Sequence, residues 1–87
     1  MHYVLSTSYS FDQVEDSLVA INVETENVII LGDIEQFILK NILIMSEAEL
    51  VSLAQREYGY NETIETDIHN FIISLAEYKI IELKNDA

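Results

Sequence analysis

The 87-residue sequence contains no cysteine, no proline and no tryptophan, only two glycines, and four cationic side chains against sixteen acidic ones. Each shortage excludes something. Without cysteine there is no disulfide, no thiolate nucleophile and no thiolate metal site. Gly32 and Gly59 alone cannot build a glycine-rich phosphate loop. Lys40, Arg56, Lys79 and Lys84 are scattered through a chain of net charge −12, which disfavours both a nucleic-acid backbone and anionic lipid as partners. The longest apolar runs, 28–31 and 42–45, are four residues each, far below the ~20 that span a bilayer. The opening MHYVLSTSYS lacks the charged and apolar regions of a secretion signal, so a cytoplasmic location is expected. No linker or repeat divides the chain, which reads as a single domain over 1–87 with its core at about 9–83.

What is present suffices for a fold. Hydrophobic residues make up 49% of the chain and charged ones 23%, unlike a disordered acidic tail, which lacks apolar surface to offset ordering entropy. A core this small leaves little margin, so a partner contact would add stability. Three strand-like segments, 9–14, 18–23 and 27–31, are separated by polar stretches at 15–17 and 24–26, which reads as an antiparallel meander. In the second strand Val19, Ile21 and Val23 alternate with Leu18, Ala20 and Asn22. The first set is continuously apolar and is expected to meet the core.

After Gly32 the period changes from two to that of a helix. Asp33 is placed to start one, and Ile34, Phe37, Ile38, Ile42 and Met45 follow at helical spacing, with Leu39 and Leu43 widening the stripe. Ser46 and Glu49 have the spacing of a capping box and open a second helix that stops at Gly59. A third helix is expected from about residue 62 or 63 to 78, with the stripe Ile64, Ile68, Phe71, Ile72 and Leu75. Ile80, Ile81 and Leu83 then pack or extend as a short tail.

Three stretches carry a family resemblance: NVIILGDIEQFIL, SEAELVSLAQREYG and ETDIHNFIISLAEYKII. The first joins a strand, a leucine and a helix of spaced aliphatics. The second is an acidic, alanine-containing helix with a terminal aromatic, and the third an Asp, aliphatic, Phe, aliphatic, Leu series closing in paired aliphatics. From Ser10 to Glu82 the chain resembles the PqqD-like family, the peptide-recognition elements of pathways that modify ribosomally made peptides. One departure is Lys79, which stands where the family usually has a helix-terminating glycine; either it takes a left-handed conformation or the helix ends differently.

The resemblance implies an α+β fold, a winged helix-turn-helix in which a three-stranded antiparallel sheet is followed by three helices. It implies no catalysis and no cofactor. The partners it implies are the leader segment of a precursor peptide and a maturation enzyme such as a radical S-adenosylmethionine enzyme, a cyclase or a protease. The leader adds as a fourth strand: an open sheet edge offers unpaired amide and carbonyl groups, and alternate side chains of the added segment enter pockets.

The residues allow that mechanism. Val28, Ile29, Ile30 and Leu31 include no proline, lysine or other charge that blocks an edge, so this strand is either an open edge or a central, protected one. On the third helix, at about 100° per residue, Ile73 lies nearly opposite the core stripe. It is either a lone exposed aliphatic or part of a groove wall with His69, Ile72 and Ala76. Glu65 and Asp67, with Glu24 and Glu26 at the strand connection, either attract basic residues of a leader or enzyme or form a solvated surface. The peptide-binding set is therefore 28–31 with Glu65, His69, Ile72, Ile73 and Ala76.

Other chemistry is weaker. Glu65 and His69 form at most half of a metal site, with His2 in an end expected to be mobile, and an ion pair or groove residue is the plainer reading. Asn61-Glu62-Thr63 fits a glycosylation acceptor by pattern but reads as the polar start of a helix. The rival function is an acidic winged-helix or nucleic-acid-mimicking protein that binds the basic surface of a DNA-binding protein.

Overall fold

The switch from alternating to helical spacing at Gly32 is also where the chain leaves its sheet and begins its helical layer. The computed structural model describes residues 2–85. The elements run β1 (His2–Leu5), β2 (Tyr9–Val14), β3 (Ser17–Asn22), β4 (Val28–Leu31), α1 (Asp33–Ile42), α2 (Glu47–Tyr58), α3 (Ile64–Glu77) and β5 (Ile81–Lys84). Strands β2, β3 and β4 form an antiparallel sheet in that order, and three helices follow it, which is the expected α+β winged-helix arrangement.

Turn chemistry fixes the meander. A two-residue turn at Glu15 and Asp16 joins β2 to β3, with Glu15 at φ +55°. The Gln13 side chain holds this turn by donating to the carbonyls of Glu15 and Ser17. Between β3 and β4 the Asn22 side chain accepts from the amides of Glu24 and Thr25, both at 2.9 Å, and Glu26 takes φ +63°.

The sheet packs through the face that its second strand alone did not favour. Phe11, Ala20 and Ile29 are aligned across the three strands, as are Leu18 and Leu31, and this face meets the helices. Val19 and Ile21 instead face outward with Val28 and Ile30, and Val23 lies in the connection, 58% exposed. The reason is the neighbours. Ala20 is fully buried where α1 crosses β3 and β4, and a small residue there lets the helix approach. Tyr9 and Phe11 on one side and Ile29 and Leu31 on the other supply the bulk.

Each helix has a local reason for its limits. The Gly32 amide donates to the Glu35 carboxylate at 2.8 Å at the start of α1, half of a capping box, since glycine has no side chain to return the bond. At Ser46 the box is complete: Ser46 Oγ accepts the Glu49 amide at 3.2 Å, and the Glu49 carboxylate accepts the Ser46 amide at 3.3 Å. Helix α2 stops at Gly59, whose φ of +87° suits a residue without Cβ. Helix α3 ends in a Schellman motif, with the Ile80 amide bonded to the Leu75 carbonyl and the Lys79 amide to that of Ala76. Lys79 sits at the left-handed position with φ +62°, the first of the two alternatives its sequence position left open. Leu75 and Ile80, both buried, supply the apolar contact that accompanies the motif.

The ends of the chain form a second, two-stranded sheet. His2–Leu5 pairs antiparallel with Ile81–Lys84, Leu5 opposite Ile81, and the Ser6 amide donates to the Ile80 carbonyl at 2.9 Å. The expected mobile end at His2 is thus a strand, held because Ile80 and Ile81 are both buried in the core and carry the ribbon with them.

Candidate functional site

The strand at the margin of the three-stranded sheet carries the strongest site features. Among the described residues β4 pairs with β3 alone, so the side away from β3 is an open edge. Strand β2 is the other edge, but Asp12 lies on it, whereas β4 reads Val-Ile-Ile-Leu with no charge and no proline. Val28 and Ile30 are 55% and 64% exposed, large apolar side chains on an unprotected edge. Ile29 packs against the core and Leu31 lies within it.

Backbone polarity follows from the register. The Asn22 amide donates to the Asn27 carbonyl at 2.9 Å, which makes that pair hydrogen-bonded. Bonded and non-bonded pairs alternate in an antiparallel ladder, so Ala20 with Ile29 and Leu18 with Leu31 are bonded in turn. Val28 and Ile30 therefore direct their amides and carbonyls to the open side, two donors and two acceptors spaced for an added strand.

The helical candidates separate. Ile68, Ile72 and Leu75 form the buried seam of α3, so Ile72, expected in the groove wall, has its side chain in the core at 2% exposure. On one flank of that seam lie Glu65, His69, Ile73 and Ala76. His69 Nδ1 stands 3.1 Å from the Glu47 carboxylate, which turns this flank toward the start of α2. Glu47, Glu65, Thr66 and His69 edge an open depression of about 360 Å³ there. His69 thus meets Glu47 and not Glu65, and among the described residues no group of three His, Cys, Asp or Glu side chains is placed to hold a metal.

The opposite flank of α3 lies toward α1. Helix α1, not α3, is the one that packs under β3 and β4. Between α1 and the first turns of α3 is an apolar cavity of about 400 Å³, lined by Ile34, Phe37, Ile38, Tyr58, Ile64, Asp67 and Ile68 among others. Ile34, 57% exposed, stands three residues beyond the end of β4 and joins edge to cavity. At the other end of α3, Tyr9 Oη on β2 donates to the Tyr78 carbonyl at 2.8 Å, which ties the C-terminal end of the helix to the sheet. Ile34 and Ile64 were read from the sequence only as core stripe; their role in this cavity follows from how α1 and α3 meet, which spacing within one helix does not report.

No family model matches the sequence, and no curated protein matches it. Two solved structures share its fold. One is lasso peptide synthetase B1 complexed with the leader peptide, with a TM-score of 0.84 at 22% identity, covering 95% of this chain and 100% of that one. The other is TbiB1 in complex with the TbiA(beta) leader peptide, with a TM-score of 0.78 at 22% identity, covering 99% of this chain and 100% of that one. At the level of fold the resemblance drawn from the sequence holds over nearly the whole chain.

Proposed function

We propose that this chain is a recognition element of the PqqD-like kind, which binds the leader of a ribosomally made precursor peptide along β4 and presents it to a maturation enzyme. The observation that carries this reading is the uncharged open edge at Val28–Leu31, whose outward amides and carbonyls at Val28 and Ile30 match what an extended peptide requires. Two proteins of the same fold were solved with leader peptides, which supports the same ligand class here. Main-chain pairing supplies affinity and the flanking pockets supply selection.

The leader's inward side chains fall between β4 and the helices. The cavity at Ile34, Ile64, Asp67 and Ile68 supports a second wall on the flank of α3 that faces α1, in place of one built from His69, Ile73 and Ala76. Asp67 there suits a leader that carries a basic residue beside an apolar one. The role is non-catalytic: the chain offers a surface, and a radical S-adenosylmethionine enzyme, a cyclase or a protease supplies the chemistry. We read 1–87 as one binding domain working in the cytoplasm; no described helix is long and apolar enough to cross a membrane.

The test is titration of the isotope-labelled chain with the leader of the precursor encoded in its own gene cluster, followed by amide shifts. Perturbation of residues 28–31 with α1 and α3 residues around the cavity is expected, at an affinity that changes little with salt. Perturbation confined to α2 overturns the reading. So does binding of a basic DNA-binding protein that collapses with salt and spreads over the carboxylates, the behaviour of a nucleic-acid mimic.

A further inference from the structure

The outward face of the three-stranded sheet carries an apolar patch in which Val28, Ile30 and Val14 are exposed and Val19 and Ile21 are partly exposed. Val19 and Ile21 on β3 stand beside Ile30 and Val28 on β4 in direct cross-strand register, and Val14 at the end of β2 is half exposed. A three-stranded sheet with one wet face ordinarily alternates apolar inside with polar outside. Here the core face is apolar, and β3 and β4 also place β-branched aliphatics on the outer face in neighbouring positions, with Ser10 and Asp12 of β2 beside them. Singly exposed aliphatics need no explanation, whereas a contiguous patch of them marks a contact surface.

The charges around that patch have one sign. From Tyr9 to Leu31 the chain has five acidic residues, Asp12, Glu15, Asp16, Glu24 and Glu26, and no lysine or arginine; the first cation of the sequence is Lys40. Asp12 lies on the outer face itself, opposite Val19. The other four sit in the connections at the two ends of the sheet, so the apolar centre is framed by carboxylates. A second copy of this chain would set one such frame against another, with no cation between them, and like charges juxtaposed across an interface repel.

We infer that this outer face docks a second protein whose contacting surface is apolar at its centre and rimmed by lysine or arginine. The inference rests on the proposed reading in one respect: a leader paired to β4 lies next to Val28 and Ile30, and its outward side chains extend the same apolar surface. The partner that receives the leader would then contact sheet and leader together, so that one binding event selects the loaded form.

The probe is an amphipathic helical peptide of leucine and lysine, which presents an apolar stripe with a basic rim and does not add as a strand. It is titrated into the isotope-labelled full chain, with a leucine–glutamate peptide of the same pattern as control. The expected footprint is on Val19, Ile21, Val28 and Ile30, weakening as salt rises, with no binding of the acidic control. The double variant Val19→Thr, Ile21→Thr keeps β-branched residues in β3 and should bind the probe about tenfold more weakly, with its melting curve preserved. A footprint spread over α2 and α3, or an unchanged affinity in the double variant, overturns the inference, as does dimerisation through this face in sedimentation. Leader affinity of the same double variant is measured alongside. It should be unchanged, since Val19 and Ile21 are on neither the edge nor the cavity, so failure of leader binding at β4 and failure of the docking face are read separately.

Discussion

Ile30→Pro separates a strand that is merely at the margin from one that is used. The Ile30 amide points away from β3, so proline there removes no ladder bond, and Ile29 before it is already extended, as the residue preceding proline prefers. The lost side chain is 64% exposed, so little buried area goes with it. The stability cost should stay near the span of β-propensity, about 1 kcal/mol. Binding is a different matter. The ring deletes one hydrogen bond to the leader, about 0.5–1.5 kcal/mol, and leaves a leader carbonyl desolvated without a donor, a further 1–3 kcal/mol or so. At about 1.4 kcal/mol per decade, leader affinity should fall between roughly tenfold and a thousandfold. Calorimetric titration with the cluster's own leader, beside a thermal melt, measures both quantities. Ile29→Pro is the contrast, because its amide bonds Ala20 and its side chain packs on the core, so it should unfold the sheet. If Ile30→Pro melts normally and binds the leader within about threefold of the parent chain, strand addition at β4 is refuted.

Three further outcomes are expected. Lys79→Gly should stabilise the chain by about 0.5–1 kcal/mol, the left-handed cost of a side chain less the extra unfolded-state entropy of glycine. That raises the melting temperature by about 2–8 °C for a chain of this size, while Lys79→Ala, which keeps the strain and loses the charge, should show no gain. Gln36→Leu should cost about 1–3 kcal/mol: the buried Gln36 amide donates to the Asp16 carbonyl at 2.7 Å and the Leu31 carbonyl at 3.2 Å, tying the β2–β3 turn and the end of β4 to α1. A thermal melt reads the loss, and an unchanged midpoint would show that the tie is dispensable. Ile34→Glu and Ile73→Glu, at half-exposed sites that tolerate charge, should both fold; leader affinity should drop about tenfold in the first and stay level in the second. The reverse order would move the second wall to the His69 flank.

Much of this architecture was legible because its signals are local. The capping box at Ser46 and Glu49, the stop at Gly59, the strand limits at 9–14, the strand read at 27–31 and found at 28–31, and the buried seam of α3 each depend on residues a few positions apart. The departure at Lys79 was likewise visible, and the structure shows which of its two resolutions the chain adopts. What was misread is what depends on distant neighbours. The β1–β5 ribbon needs the two ends of the chain to meet over Ile80 and Ile81, and nothing within 2–5 or 81–84 announces the other. Helical spacing set Ile73 off the core stripe, as found, but left Ile72 both in that stripe and in the groove wall, and only the packing of α3 against the core assigned it wholly to the interior.

By itself the sequence determined the periods, the caps, the sign of the surface charge and the lack of any charge in 28–31, because these are properties of short segments and of composition. Only the tertiary structure decided that β4 is an edge, that the Val19–Ile21 face lies outside, and that Ile34 meets α3 across a cavity. Alternation along a strand defines two faces without ranking them. Their ranking comes from where α1 finds room, over the small Ala20 and between larger neighbours, and that is a fact about three strands and a helix at once.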